Sequence, residues 1–159
     1  MKRLAAALAF FVLAAGAAGA PARAKDRAEL GEVAIYLFLE KSGRFSIDIS
    51  KMADFSAGNF NPMGPGIPEG ERFDSIFVRV QLTAAKEIFA KGPQATVTIT
   101  HSKTKRVIRR VVLADVYVGP DRATFKGVYV DQVGCAPMDI VVQAGAKRFA
   151  RSLAIHCGE

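Results

Sequence analysis

The 159-residue sequence contains only two cysteines and two histidines, and it has no tryptophan. Two cysteines are too few for a zinc site built from four thiolates or for a disulfide-dense miniprotein. Hydrophobic residues make up 50% of the chain and charged residues 23%, which is typical of a globular protein and excludes a disordered or collagen-like chain. The length corresponds to one domain.

The N-terminus has the three parts of a secretory signal peptide. Lys2 and Arg3 precede an uncharged run over residues 4–19, and the small-x-small triplet at residues 22–24 follows it. An uncleaved membrane anchor is the alternative, but the run is short for a span and consists largely of alanine. We therefore expect residues 1–24 to be removed, residues 25–159 to form a single domain, and the protein to be periplasmic or secreted.

The chain is basic, with 22 Lys and Arg against 15 Asp and Glu and a net charge of +7. Residues 1–24 contain three bases and no acid, so their removal lowers the net charge to +4. Such a mild excess favours solubility and weak attraction to anionic surfaces. We expect no nucleic-acid partner and no stable membrane insertion after cleavage.

Most of the chain after residue 24 shows the hydrophobic patterns of β-strands. Residues 33–39 form a continuous apolar run, and apolar residues alternate with polar ones in the segments 45–49, 76–82 and 95–99. Further strands are predicted near residues 106–114, 123–131, 138–143 and 148–156. Turn residues separate the segments at 42–43, 101–104, 119–121 and 144–146.

About eight short strands with this spacing predict an all-β fold, an antiparallel β-sandwich. Its general features are similar to an immunoglobulin-like sandwich, although the Cys…Trp…Cys spacing of antibody domains is absent. This architecture serves many functions, so the fold alone implies none of them.

One segment has the signals of a short helix instead. Thr83 is a candidate N-cap, residues 84–91 include good helix formers, and Gly92 followed by Pro93 would end the helix. A helix of about two turns is stable only when it packs on the rest of the protein. We expect this one to seal an end of the sandwich with Leu82, Ala85, Ile88 and Phe89.

Cys135 and Cys157 are predicted to form a disulfide. An exported protein meets an oxidising compartment, where an even pair of cysteines is most simply bonded. The bond would enclose the last two strands and prevent the C-terminal strand from fraying. A redox or metal-binding thiol is the alternative, but the spacing does not resemble Cys-x-x-Cys.

No motif accompanies the two histidines. His101 lies in a predicted turn, His156 precedes Cys157, and the two lack the short spacing of zinc ligands. Serines could complete a Ser-His-Asp arrangement with either histidine, but the chain has no Gly-x-Ser-x-Gly elbow. We therefore assign no catalytic residue, metal ligand or cofactor. The alternatives are a small hydrolase-like enzyme, or a metal-binding accessory protein that uses both histidines and Met63.

Residues 56–72 are a candidate binding loop. They form a connection rich in Gly and Pro that is longer than most loops of compact domains. Phe60, Asn61 and Met63 are its candidate contact residues, because binding residues often lie on loops held by a rigid scaffold. In the structural alternative, Phe60, Met63 and Ile67 fold back and cover the core.

Residues 103–110, which we call the basic segment, contain five bases and no acid. Apolar and charged residues do not separate between the two faces of a strand here, so we expect a bulge or a protected edge strand. In the functional alternative, the segment binds phosphates or acidic glycans with Lys105, Arg106, Arg109 and Arg110. The sequence thus favours an exported, non-enzymatic β-sandwich that binds a protein or an anionic envelope component.

Overall fold

The computed structural model describes residues 27–53, 55–58, 62, 64 and 66–157. The predicted signal peptide lies outside these residues. The described chain forms nine β-strands: β1 (Glu29–Leu39), β2 (Arg44–Phe45), β3 (Ser56–Gly58), β4 (Ser75–Thr83), β5 (Ile88–His101), β6 (Val107–Val118), β7 (Ala123–Val130), β8 (Met138–Ala144) and β9 (Lys147–His156). A single 3₁₀ turn, Ile49–Lys51, follows β2. Over the same residues, we find no helix with the length and apolar character needed to cross a bilayer.

The strands form two packed sheets, with orders β2-β1-β4-β7 and β3-β9-β8-β5-β6. Neighbouring strands are antiparallel except β3, which runs parallel to β9. The predicted all-β sandwich is confirmed. Its seven long strands resemble the immunoglobulin-like order, because the first, second and fifth form one sheet and the third joins the last two. The fourth, β6, pairs with the third, whereas in antibody constant domains it belongs to the first sheet.

The core lies between the two sheets and consists of the side chains that point inward, at every second position along the strands. The predicted alternation is confirmed in β4 and in the second half of β5, where every inward residue is almost fully buried: Ile76, Val78, Val80 and Leu82, and Ala95, Val97 and Ile99. Aliphatic side chains at a spacing of two residues can bury only one face of a strand, which is why this pattern predicts a sandwich layer well.

The helix predicted after Thr83 is wrong, because the chain turns over residues 84–87 and continues as β5 from Ile88. Ile88 pairs with Val118 and Ala90 with Val116, so the segment gains a strand partner that the helix would lack. Gly92 adopts a positive φ of 73°, as expected of a helix terminator, but it lies at an irregularity in the β5–β6 pairing instead.

The strand predicted at residues 45–49 is only partly present, and of its three apolar residues only Ile49 is buried. Phe45 and Ile47 are 52% and 45% exposed, whereas Ser46 is buried. The Ser46 hydroxyl accepts a hydrogen bond from the backbone N–H of Leu37, and Asp48 Oδ1 accepts one from the N–H of Ile35, each at 3.0 Å. The polar side chains turn inward because they satisfy amides of β1 that a strand partner would otherwise bind.

The loop predicted at residues 56–72 starts with a short strand, β3, rather than an irregular segment. Buried phenylalanines, Phe55 and Phe73, hold the chain on either side of it, and Ile67 packs against the core. The expectation that loop apolar residues cover the core is therefore met by Ile67. Phe60, Asn61 and Met63 lie outside the described residues.

The predicted disulfide between Cys135 and Cys157 is confirmed, with the two Cα atoms 4.8 Å apart. Cys135 lies just before β8 and Cys157 just after β9, and these two strands are neighbours in one sheet. The bond therefore ties the end of the chain to the start of its hairpin, whereas the disulfide of antibody domains joins the two sheets.

Candidate functional site

The basic segment runs from the turn after β5 into the start of β6. Within the described chain β6 pairs with β5 alone, so it is an edge strand. Ile99 pairs with Arg109 and Thr100 with Val107, which leaves Ile108 as the extra residue of a bulge. The predicted bulged edge strand is confirmed, and it explains why charged residues occur on both faces.

The bases of the segment differ in their partners. Lys105 Nζ lies 2.9 Å from Asp139 Oδ2 and forms an ion pair. Arg106, Arg109 and Arg110 are exposed, and none of the acidic side chains that the structure describes forms an ion pair with them. Since paired residues of antiparallel strands share a face, Arg109 and Arg110 lie on opposite faces of the sheet edge.

Asp139 is the centre of a polar cluster beside the basic segment. The hydroxyls of Ser102 and Ser152 each donate to its Oδ1 at 2.8 Å, while Lys105 binds Oδ2. The hydrogen bond from Lys105, followed by those from Ser152 and Ser102, lowers the pKa of Asp139 to about 2. At neutral pH this carboxylate is a weak base, and its bonds join β9 to the turn that carries the basic segment.

We expect the substitution Asp139→Ala to lower the free energy of unfolding at pH 7 by about 1–2 kcal/mol, a value reduced for the partial exposure of the carboxylate. The pKa of Asp139 is lower in the folded state than its ordinary value of 3.8. Its contribution is therefore complete above pH 3.8 and is lost as the pH falls towards 2. Urea unfolding should therefore show a clearly larger difference at pH 7 than at pH 2, where the carboxyl is about half protonated. An equal difference at both pH values would contradict this electrostatic origin.

Neither histidine is hydrogen-bonded to a serine side chain in the described part of the chain. His101 Nδ1 accepts hydrogen bonds from the backbone N–H groups of Lys103 and Thr104, at 3.2 and 3.4 Å, so this nitrogen stabilises the turn. His156 is exposed at the end of β9. The described residues contain no group of three or more His, Cys, Asp or Glu that could hold a metal ion.

A second surface consists of six aromatic side chains on the outer side of the sheet β2-β1-β4-β7. We call it the aromatic face, and it comprises Tyr36, Phe38, Phe45, Phe77, Phe125 and Tyr129. Strand pairing places Phe38 beside Phe45, and Phe77 between Tyr36 and Tyr129. Phe45, Phe125 and Tyr129 are about half exposed, with values of 52%, 53% and 47%.

The rings of the aromatic face contact one another at inclined angles. The ring centroids of Phe45 and Phe77 are 5.3 Å apart, and those of Phe38 and Phe45 are 5.7 Å apart with their planes at 65°. Phe77 also lies against Gly127, where an added Cβ would be 2.4 Å from two atoms of the ring. These contacts fix the rings at inclined orientations, so the surface they form is uneven and not flat.

Arg79 joins the two ends of the aromatic face. Its guanidinium carbon lies 5.6 Å from the ring centre of Tyr36 and 5.2 Å from that of Phe125, within the range of cation–π attraction. Glu32 lies 3.5 Å from Arg79 and 2.8 Å from Lys51, so these charges are paired within the chain.

The aromatic face is not among the sites predicted from the sequence, although the sequence contains a signal for it. Tyr36 and Phe38 are the outward residues of β1, and Phe77 is an outward residue of β4. The inward residues of both segments are aliphatic and sufficient for a core. Aromatic residues at the alternate, outward positions therefore indicate strands that are apolar on both faces. Such strands expose an apolar surface that is typical of an interaction site.

No protein-family model matches the chain, and a search of the curated proteins finds no match. The class of the protein therefore follows from its fold alone, which is an all-β sandwich with an immunoglobulin-like strand order. Because this architecture is shared by unrelated functions, the function has to be inferred from the two exposed surfaces.

Proposed function

We propose that the chain is an exported, non-enzymatic binding protein that holds an anionic component of the cell envelope on the basic segment. The observation that supports this most directly is the set of three exposed arginines, Arg106, Arg109 and Arg110, that lack an acidic partner in the described part of the chain. The neighbouring Lys105 does have such a partner, Asp139, and this ion pair holds the segment in place.

The chemistry of the segment suits phosphate or carboxylate groups. An arginine presents a planar fork of N–H donors that binds either group with two parallel hydrogen bonds. A strand rises about 3.3 Å per residue, so residues 106–110 extend over at most roughly 13 Å, and over less where the bulge at Ile108 shortens the strand. That length fits several charged groups along a polymer or on a lipid surface better than a single small anion.

The edge position of β6 adds backbone donors to the site. An edge strand leaves part of its N–H groups without a partner in the sheet. Such groups among residues 107–110 can donate to an anion that a neighbouring arginine side chain holds. The disulfide Cys135–Cys157 supports the export part of the proposal, because such bonds persist in oxidising compartments.

We expect the triple variant Arg106→Ser, Arg109→Ser, Arg110→Ser to bind vesicles with about 30% phosphatidylglycerol roughly a hundredfold more weakly than the original protein, because each base near such a surface contributes about 1 kcal/mol. Vesicle co-sedimentation at low salt measures this. Added salt should weaken binding of the original protein, since the attraction is screened over about 8–10 Å. Heparin is the second probe, and binding to heparin alone would identify the ligand as a soluble polyanion rather than a lipid.

The matched control is Arg44→Ser, Arg122→Ser, Arg148→Ser, which removes the same charge from exposed positions outside the segment. The proposal predicts that this control loses much less affinity for either probe. Equal losses in the two triple variants would show that only net charge matters. Failure of the original protein to bind both probes would also contradict the proposal.

A further inference from the structure

The aromatic face differs from the outer side of the other sheet. There the outward residues of β5 are Thr96, Thr98 and Thr100, and Thr100 lies next to Asp139 and Ser152 along the row. Antiparallel sheets of sandwiches are commonly polar on the solvent side. The second sheet is polar at these threonines, but along β5 and β6 it also exposes Phe89, Val107, Val112 and Tyr117. The first sheet departs from that rule over all four of its strands, which indicates a surface that is covered in the functional state.

The extent of the aromatic face is suited to a protein interface. Phe45, Phe125 and Tyr129 are each about half exposed, and rings of this kind have about 150–250 Å² of surface. These three rings alone therefore present about 300 Å² of apolar surface. Tyr36, Phe38 and Phe77 are less exposed and add at most about 200 Å², so the six rings together present at most about 500 Å². The polar rim would have to supply the remainder of the roughly 800 Å² per partner of a standard interface.

The relief of the face favours a protein over a flat ligand. The ring planes of Tyr36 and Phe45 meet at 62°, and those of Phe38 and Phe45 at 65°. Inclined rings form ridges and grooves that can interdigitate with side chains of another sheet, as the inner faces of a sandwich do. Because the rings already contact one another, little side-chain entropy is lost when a partner binds.

The charges of the face are compatible with a second copy of the same chain. Arg79 is paired with Glu32, and Lys51 with Glu32 and Asp48, so two bases and two acids balance and a two-fold contact would bury no unpaired like charges from these residues. The basic segment belongs to the other sheet and does not have to enter the contact. A basic chain that selected an acidic partner here would be expected to show unpaired cations on this surface, and the described residues of the face show none.

We propose that the aromatic face is the contact surface of a homodimer, in which the sheets β2-β1-β4-β7 of two copies pack face to face about a two-fold axis. Closed two-fold dimers are the most common soluble oligomers, and in them the same patch serves both subunits. Phe45, Phe125 and Tyr129, the most exposed rings of the face, are its anchors. This inference is independent of the anion binding proposed above, because the two surfaces use different residues on different sheets.

The test is sedimentation equilibrium of the purified, oxidised protein from about 1 μM to 100 μM, which covers weak and moderate dimers. We expect a monomer–dimer equilibrium, and Phe125→Ser should raise its dissociation constant by at least about tenfold, as the loss of an aromatic anchor does. The matched control is Phe89→Ser. Phe89 is 55% exposed, against 53% for Phe125, but it lies on β5 in the other sheet.

Circular dichroism and thermal unfolding of both variants would establish that they remain folded, since each substitution removes a half-exposed ring. Tyr129→Ser provides a second position on the aromatic face and should weaken the dimer in the same way. The inference is overturned if the original protein is a monomer at every concentration, if the assembly is not a dimer, or if Phe89→Ser weakens it as much as Phe125→Ser does.

Discussion

Replacing Cys135 and Cys157 together by serine is expected to lower the free energy of unfolding by about 3 kcal/mol. The disulfide closes a loop with a sequence separation of 22 residues, and the chain-entropy model gives that value for loops of this size. Net stabilities of domains are about 5–15 kcal/mol, so the loss is a large part of the total. Denaturant unfolding of the original protein and the double variant, both without reductant, measures it.

Reduction provides the control for this prediction. Dithiothreitol should lower the stability of the original protein to that of the double variant, while the variant itself should not respond. The largest local effect is expected at β9, which ends at His156, directly before Cys157. Hydrogen exchange should therefore accelerate in β9 before the rest of the sandwich. A difference of less than about 1 kcal/mol would show that the hairpin β8–β9 is closed without the bond.

The sandwich was predictable because its core is encoded by local alternation. The aliphatic residues at 76, 78, 80 and 82 can all face one way only in an extended strand, and the structure buries each of them completely. The disulfide was predictable for a different reason, since two cysteines leave only one possible pairing. Turn residues at 42–43, 119–121 and 144–146 were also found at turns between strands.

The errors arose where distant partners outweigh local preference. Residues 84–91 favour a helix by composition, but Ile88 and Ala90 pair with β6, about 26–30 residues later in the chain. Ser46 and Asp48 were assigned to the solvent side as polar residues, yet they accept hydrogen bonds from amides of β1. Neither contact is visible in a window of a few residues, because both depend on which strand becomes the neighbour.

The candidate site was predictable only where it depends on residues that are neighbours in the sequence. The basic segment is a local run, and its place on a bulged edge strand followed from the mixed faces of the run. The ion pair of Lys105 with Asp139 could not be predicted, since it joins residues 34 positions apart. The aromatic face is formed by four strands that pair across the whole chain, so single-strand patterns showed its members without showing that they meet.

The substitution Phe73→Ala is expected to lower the free energy of unfolding by about 3–5 kcal/mol, the cost of removing a buried aromatic ring and leaving a cavity. Phe73 is only 1% exposed and belongs to the core. The backbone on both sides of it is fixed, because the carbonyl of Arg72 accepts from the N–H of Glu40 at 2.9 Å and that of Asp74 from the N–H of Val133 at 2.6 Å. The site therefore has little freedom to collapse into the cavity.

Phe89→Ala is the matched comparison, because it removes the same atoms from a ring that is 55% exposed. We expect it to cost less than about 1 kcal/mol. If Phe73→Ala does not fold, Phe73→Leu should still fold and lose a smaller amount, about 1–2 kcal/mol, because most of the volume is kept. Urea unfolding of the three variants gives the comparison. Equal losses for Phe73→Ala and Phe89→Ala would contradict this prediction. They would mean that Phe73 does not anchor the segment between β3 and β4 in the core.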